Sequence, residues 1–271
     1  MTTIERIDTG TEELLAEREG HVLTLTLNRP ERLNAISAPM LSAFSRQLIA
    51  ANKDPEVRVV IITGAGRGFC SGLDLVERGG ADARAQEAPP FSLIDLGESP
   101  PTALYHMDKP VICALNGAAA GYGMDLALLC DIRIASEHGK LAAVVVKRNI
   151  VPESGGTWLL PRLIGYAKAA ELFFRGRIVG AEECLELGLV NAVVPSDDLM
   201  DTARAWAQEI AENAPAAVQV TKRLMRLGEH ETFETTVDHV MMYFRALSKT
   251  EDFREGVRAF LEQRPGQFTG R

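Results

Sequence analysis

One stretch limits what this chain can become. It runs from Lys109 to Ser136, KPVICALNGAAAGYGMDLALLCDIRIAS. Residues 111–115 are an apolar run closed by Asn116-Gly117, the pattern of a buried strand ending in a turn. Glycines follow at 117, 121 and 123, and residues 124–130 are then apolar on nearly every side, as in a buried helix. Glycines between a buried strand and a buried helix let the backbone come close to something and expose N–H groups at the helix start. That end of a helix attracts negative charge. Asp125 alone breaks the apolar helix. As a first-turn acid it either complements the helix dipole or faces a reacting group.

A second stretch repeats the design. Residues 57–63, VRVVIIT, read as a buried strand and run into GAGRGFCSGLDL, with glycine at 64, 66, 68 and 72. Two strand-to-glycine-loop units suggest two backbone N–H donors converging on one oxygen. Such an oxyanion hole contributes several kcal/mol where charge develops in a transition state.

These residues carry a family resemblance. Phe69-Cys-Ser-Gly-Leu-Asp-Leu resembles the F-x-x-G-x-D-[LI] segment of the crotonase superfamily, which holds enoyl-CoA hydratases and isomerases. Lys109 to Gly117, Gly121-Tyr-Gly-Met-Asp-Leu-Ala and Cys130-Asp-Ile-Arg-Ile-Ala resemble that family's signature, and Pro152 to Gly156 and Leu187-Gly-Leu-Val follow in the expected order. The resemblance covers the chain from about residue 15 onward. It implies an α/β fold: a spiral of repeated ββα units over residues 1–195, then a helical trimerisation region over 196–271. It also implies a homotrimer or a dimer of trimers.

By length the chain suits one large domain or two small ones. With 271 residues and 46% apolar content, it can bury a sizeable interior. A net charge of −8 argues against general nucleic-acid or anionic-membrane binding. Cysteines 70, 113, 130 and 184 have apolar or glycine-rich neighbours and no paired spacing, so they read as reduced, mostly buried thiols of a cytoplasmic protein. The polar N-terminus reads as no signal peptide, and no apolar run reaches the length of a membrane span.

In order, strands are expected over 14–17, 22–27 and 57–63, with a Ser37-capped helix over 39–52. A strand is expected over 140–146 and another over 190–194, with helices over 158–165, 167–175 and 180–187. From Ser196 onward the chain reads as four helices. Residues 78–101, with Gly79-Gly80, Pro89-Pro90 and Pro100-Pro101, read as a long irregular segment. By resemblance it would be a lid beside the acyl pocket, and otherwise a surface loop.

Other chemistries fit poorly. A dinucleotide fingerprint starting at Gly64 needs glycine at 69, where Phe69 stands. Histidines 21, 106, 138, 230 and 239 show no triad or metal spacing and read as surface or structural residues, so no metal site is expected. Ser71 and Ser154 lie in glycine-rich turns without a nucleophile elbow.

Two carboxylates remain, Asp125 and Glu153. Glu153 could simply be an acid stabilising the helix that begins near Thr157. By resemblance, Asp125 stands where the family's hydratases carry their first glutamate, and Val145 stands where they carry the second. A carboxylate directly after a proline, as in Pro152-Glu153, resembles the arrangement in several enoyl-CoA isomerases, including the ring-opening isomerases of phenylacetate degradation. The same matching makes the N–H groups of Leu73 and Tyr122 the oxyanion donors. It puts Asn34, Ala35, Ser71, Gly72, Asp74 and Gly121 along the coenzyme A and substrate path. Phe260 matches an aromatic that reaches coenzyme A from a neighbouring subunit. The basic residue of the family's hydratases falls at Gln263, beside Arg264. The resemblance thus implies an enzyme acting on an acyl-CoA thioester through a stabilised enolate, with Glu153 as proton shuttle and no cofactor beyond the coenzyme A of the substrate. Double-bond isomerisation is the favoured reaction. Hydration using Asp125 and Glu153 is the alternative, and an acyl-CoA-binding protein without turnover is the remote one.

Overall fold

The computed structural model describes residues 3–74 and 99–271. The chain begins as an antiparallel meander of β1 (Ile4–Ile7), β2 (Leu14–Glu19) and β3 (Val22–Leu27). In β3 the leucines are buried and the threonines half-buried, as an alternating pattern requires. Helix α1 (Ala38–Lys53) then opens on Ser37, whose Oγ accepts the Met40 N–H at 3.1 Å. A cap of this kind contributes about 1 kcal/mol.

From β4 onward one move is made three times. A strand joins a large sheet, and a short strand that follows it joins a small one. The pairs are β4 (Val59–Gly64) with β5 (Gly68–Cys70), β6 (Val111–Leu115) with β7 (Ala118–Ala120), and β8 (Ile132–Ser136) with β9 (Lys140–Ala142). Helix α2 (Pro100–His106) precedes β6, and α3 (Tyr122–Leu129) follows β7. Helices α4 (Gly156–Ile164) and α5 (Tyr166–Arg175) follow β9. Then β10 (Ile178–Gly180), α6 (Ala181–Glu186) and β11 (Ala192–Val194) complete the two sheets. The large sheet has the order β1-β2-β3-β4-β6-β8-β11 and is parallel from β3 onward. The small sheet has the order β10-β9-β7-β5 and is parallel except between β9 and β10. Each strand pair advances one place in both sheets, which winds the chain into a spiral of ββα units.

One face of the large sheet shares a core with residues of α1, α3 and α5, with Leu25, Phe44, Val60, Ile62 and Leu126 in that core. The other face, with Val59, Ile61, Ile112 and Ile134, is covered by Leu199, Ala203, Ala207 and Ala211 of α7 (Leu199–Ala211). Strands therefore end before residue 195, but the first helix beyond it completes the core. Helices α8 (Pro215–Gly228) and α9 (Phe233–Leu247) hold no buried residue. Polar ties bind α8 to the sheet: Lys222 Nζ reaches Asp131 at 2.6 Å and the Lys109 carbonyl at 2.9 Å, and Arg226 reaches Asp108 at 2.7 Å. Helix α10 (Glu251–Leu261) ends the fold.

The strand expected over 140–146 stops at Ala142, and Val144–Arg148 form a 3-10 turn ended by Asn149 in the left-handed region. Three consecutive valines favour a strand locally, but β10 offers β9 partners only as far as Ala142. Of the irregular segment 78–101, residues 78–98 lie outside the described residues, and Pro100 opens α2. All four cysteines are buried and free.

Candidate active site

The site forms where the two glycine units meet. Residue Leu73 makes a parallel bridge with Ile36. The Ile36 N–H bonds to the Gly72 carbonyl at 2.8 Å, and the Asp74 N–H bonds to the Ile36 carbonyl at 3.0 Å. Amides alternate in direction along an extended chain, so the N–H of Leu73 points the other way. The start of α3 lies close to Gly72. Gly72 has φ +102°, and a Cβ there would sit 3.1 Å from the Ala120 carbonyl and 3.7 Å from the Tyr122 nitrogen. Tyr122 is the first residue of α3, so its amide lies at the positive end of the helix. Close packing brings this about: a Cβ on Gly123 would fall 2.3 Å from the Cys70 carbonyl oxygen.

Leu73 and Tyr122 both line a cavity of about 580 Å³. Part of its wall is aromatic, with Tyr105, Trp158 and His230 among the lining residues. Tyr105 meets Trp158 edge-on at 5.6 Å, Trp158 and His230 lie 5.7 Å apart, and the Arg162 guanidinium sits 3.9 Å over the Trp158 ring. Sequence reasoning missed this wall. It took His106 and His230 as surface or structural residues, yet both line the cavity. Helix α2 and the turn between α8 and α9 bring them there from sequence positions that carry no common motif.

Glu153 is exposed and lines the same cavity, where it is the sole carboxylate among the described lining residues. Asp125 is placed differently. It is 2% exposed and does not line the cavity. Its Oδ2 accepts the Ser154 N–H at 3.1 Å, and the Gly156 N–H is a second donor. Burial pushes the Asp125 carboxyl up to about 6, the two amides oppose that, and the nearby Glu153 adds to it. Val145, at the second hydratase position, packs beside Gly121, whose Cβ would lie 3.1 Å from Val145 Cγ1.

Several residues expected along the coenzyme A path have structural work. Asn34 is wholly buried with φ +56°, and its side chain accepts from the Arg29 N–H at 2.8 Å and donates to the Ala65 and Gly68 carbonyls at 2.9 and 2.7 Å. Asp74 is buried in an ion pair with Arg29 at 3.1 Å. The side chains of Asn34 and Asp74 therefore face inward rather than an open path. Ala35 is half-buried, Gly72 is buried, and Ser71 is exposed with its hydroxyl donating to the Arg32 carbonyl at 3.2 Å. Phe260 on α10 is 83% exposed and does not line the cavity. Arg264 is engaged by Glu255 and Glu262, each at 2.6 Å. Among the described residues, no cluster of His, Cys, Asp and Glu could hold a metal ion, and no helix is long and apolar enough to cross a membrane.

The family model for enoyl-CoA hydratase/isomerase matches residues 17–271. The chain belongs to the enoyl-CoA hydratase/isomerase family. It is 39% identical to the 1,2-epoxyphenylacetyl-CoA isomerase of Escherichia coli K12, over 96% of this chain and 99% of that one. It is 36% identical to the short-chain-enoyl-CoA hydratase of Clostridium acetobutylicum, over 93% and 95% of the two chains. The crystal structure of an enoyl-CoA hydratase from Bacillus anthracis superimposes with a TM-score of 0.89 at 35% identity, covering 96% of this chain and all of that one. The family is thus shown along nearly the whole length, and the chain is an enzyme of the crotonase superfamily. Its relatives include both isomerases and hydratases.

Proposed function

We propose that this enzyme moves a carbon–carbon double bond in an enoyl-CoA thioester, with Glu153 as the proton shuttle. One observation carries the reading: among the described residues, Glu153 is the sole carboxylate on the cavity wall, while Val145 is apolar and Asp125 faces the turn. Hydration needs a water held between two acceptors. Isomerisation needs one base that takes a proton from one carbon and returns it to another.

The thioester oxygen of a 3-enoyl-CoA would sit between the Leu73 and Tyr122 amides. Glu153 removes a proton from C2, and the electron pair of that C–H bond spreads into a dienolate whose oxygen the amides stabilise. Protonated Glu153 then delivers the proton to C4, the double bond comes to rest between C2 and C3, and Glu153 is again a carboxylate. Atoms and charge balance without a metal or redox cofactor.

Self-assembly belongs to the same proposal. Val237, Val240, Met241 and Phe244 of α9 and Phe253, Val257 and Phe260 of α10 are exposed apolar residues. A trimer or dimer of trimers would cover them, and Phe260 would meet coenzyme A in a neighbouring subunit. Light scattering at micromolar concentration should give a trimeric or hexameric mass; a monomer mass overturns this part.

The deciding experiment is a steady-state comparison of matched 3-enoyl and 2-enoyl esters of coenzyme A. Isomerisation should outpace hydration, and Glu153→Gln should abolish it. Fast hydration of the 2-enoyl ester that depends on both Asp125 and Glu153 would overturn the isomerase reading.

A further inference from the structure

Glu153 lies in a turn, and a turn-borne side chain is placed only as well as its backbone is held. On one side stands Pro152, whose ring fixes its own φ. On the other, the Ser154 N–H is bonded to Asp125 Oδ2 at 3.1 Å. The Gly156 N–H, two residues on, donates to the same carboxylate. Gly156 lies so near that a Cβ there would fall 2.2 Å from Asp125 Oδ1. Asp125 itself projects from the first turn of α3, three residues after Tyr122. One short helix therefore carries both an oxyanion amide and the anchor of the turn that bears the base.

We propose that Asp125 is a positioning residue: it fixes the Pro152–Gly156 turn by accepting the Ser154 and Gly156 amides, and so holds Glu153 at a set distance from the Tyr122 amide. This deepens the reading of Glu153 as proton shuttle and rests on it. Asp125 touches no substrate. It is buried and stands apart from the cavity wall. Gly156 suits the role, because a side chain there would collide with the Asp125 carboxylate.

The test is a double-mutant cycle on the isomerisation rate. Asp125→Asn and Asp125→Ala should each lower kcat by about tenfold or more, the scale of a lost charge-assisted hydrogen bond, with KM within about twofold. Binding of hexanoyl-CoA, which lacks the double bond, should be unchanged by calorimetry; that also reports whether each variant is folded. In a Glu153→Gln background, where only slow isomerisation detectable at high enzyme concentration would remain, neither Asp125 change should lower that rate further, because there is no base left to place. If an Asp125 variant binds hexanoyl-CoA normally and keeps its full kcat, the positioning role is overturned. An equal proportional loss in both backgrounds overturns it too, since a general structural defect would act regardless of Glu153. A fully active Glu153→Gln enzyme instead overturns the reading of Glu153, which separates the two failures.

Discussion

The two glycine units reach the same cavity by different means. In the first, β4 to Asp74, side chains hold the loop. Asn34 ties Ala65 and Gly68, Asn116 ties Gly64, Gly66 and Gly68, and the Arg29–Asp74 pair braces the far end. In the second, β6 to α3, the backbone packs directly. Gly117 lies against the Arg67 carbonyl and Gly123 against that of Cys70, each too close for a Cβ. A side-chain-braced loop fails by losing hydrogen bonds, whereas a loop packed on bare backbone fails by gaining atoms. The contrast is one of degree: a Cβ on Gly64 would also fall 2.4 Å from the Gly68 carbonyl, but only the first unit is laced by a net of side-chain hydrogen bonds.

The largest effect should come from removing an amide itself. Leu73→Pro deletes the N–H and should lower turnover roughly 100-fold or more, whereas Leu73→Ala keeps the amide and much of the activity. Steady-state kinetics on both variants checks this, and equal rates would remove Leu73 from the site. Next comes the brace of the first unit. Asn34→Ala leaves the Arg29 amide and the half-buried Ala65 carbonyl without their side-chain partner, while the Gly68 carbonyl keeps Asn116. It should destabilise the fold by about 2–3 kcal/mol, read from the urea midpoint. For the second unit, Gly123→Ala should cost about 1–3 kcal/mol by overpacking. If Gly123→Ala is harmless while Asn34→Ala is not, the second unit has slack, and the comparison fails.

A smaller effect sharpens the comparison through pH. The Asp125 carboxyl is raised from 3.8 to about 6 in the folded chain. The native state then holds a proton that the unfolded chain has released. This contribution to stability is fully present below the lower value and is lost as pH rises through the higher one. Urea midpoints between pH 4 and 7 should therefore fall with pH by on the order of 1 kcal/mol in the wild type relative to Asp125→Asn. Parallel pH curves for the two proteins would mean that Asp125 is not desolvated.

Much of this was written in local pattern. The two strand-to-glycine units, the Ser37 cap, the alternation of β3 and the helical tail are all short-range signals, and each corresponds to an observed element. Pro152-Glu153 also stood out, through its resemblance to the arrangement in several enoyl-CoA isomerases, although an acid serving only the following helix would read the same way. Three things were not legible. Each unit splits its strands between two sheets, which depends on partners far away in sequence. The aromatic wall draws Tyr105, Trp158 and His230 from three separate segments. And the direction of Asp125 could not be read from α3, because a helix buried on nearly all sides carries no polar face to set its rotation. The sequence by itself determined that glycine loops, an apolar helix and two carboxylates would share one core. Tertiary packing decided which carboxylate meets the cavity: Gly123 pressed against Cys70 sets the roll of α3, and that roll turns Asp125 toward the Ser154 and Gly156 amides and leaves Glu153 on the cavity wall.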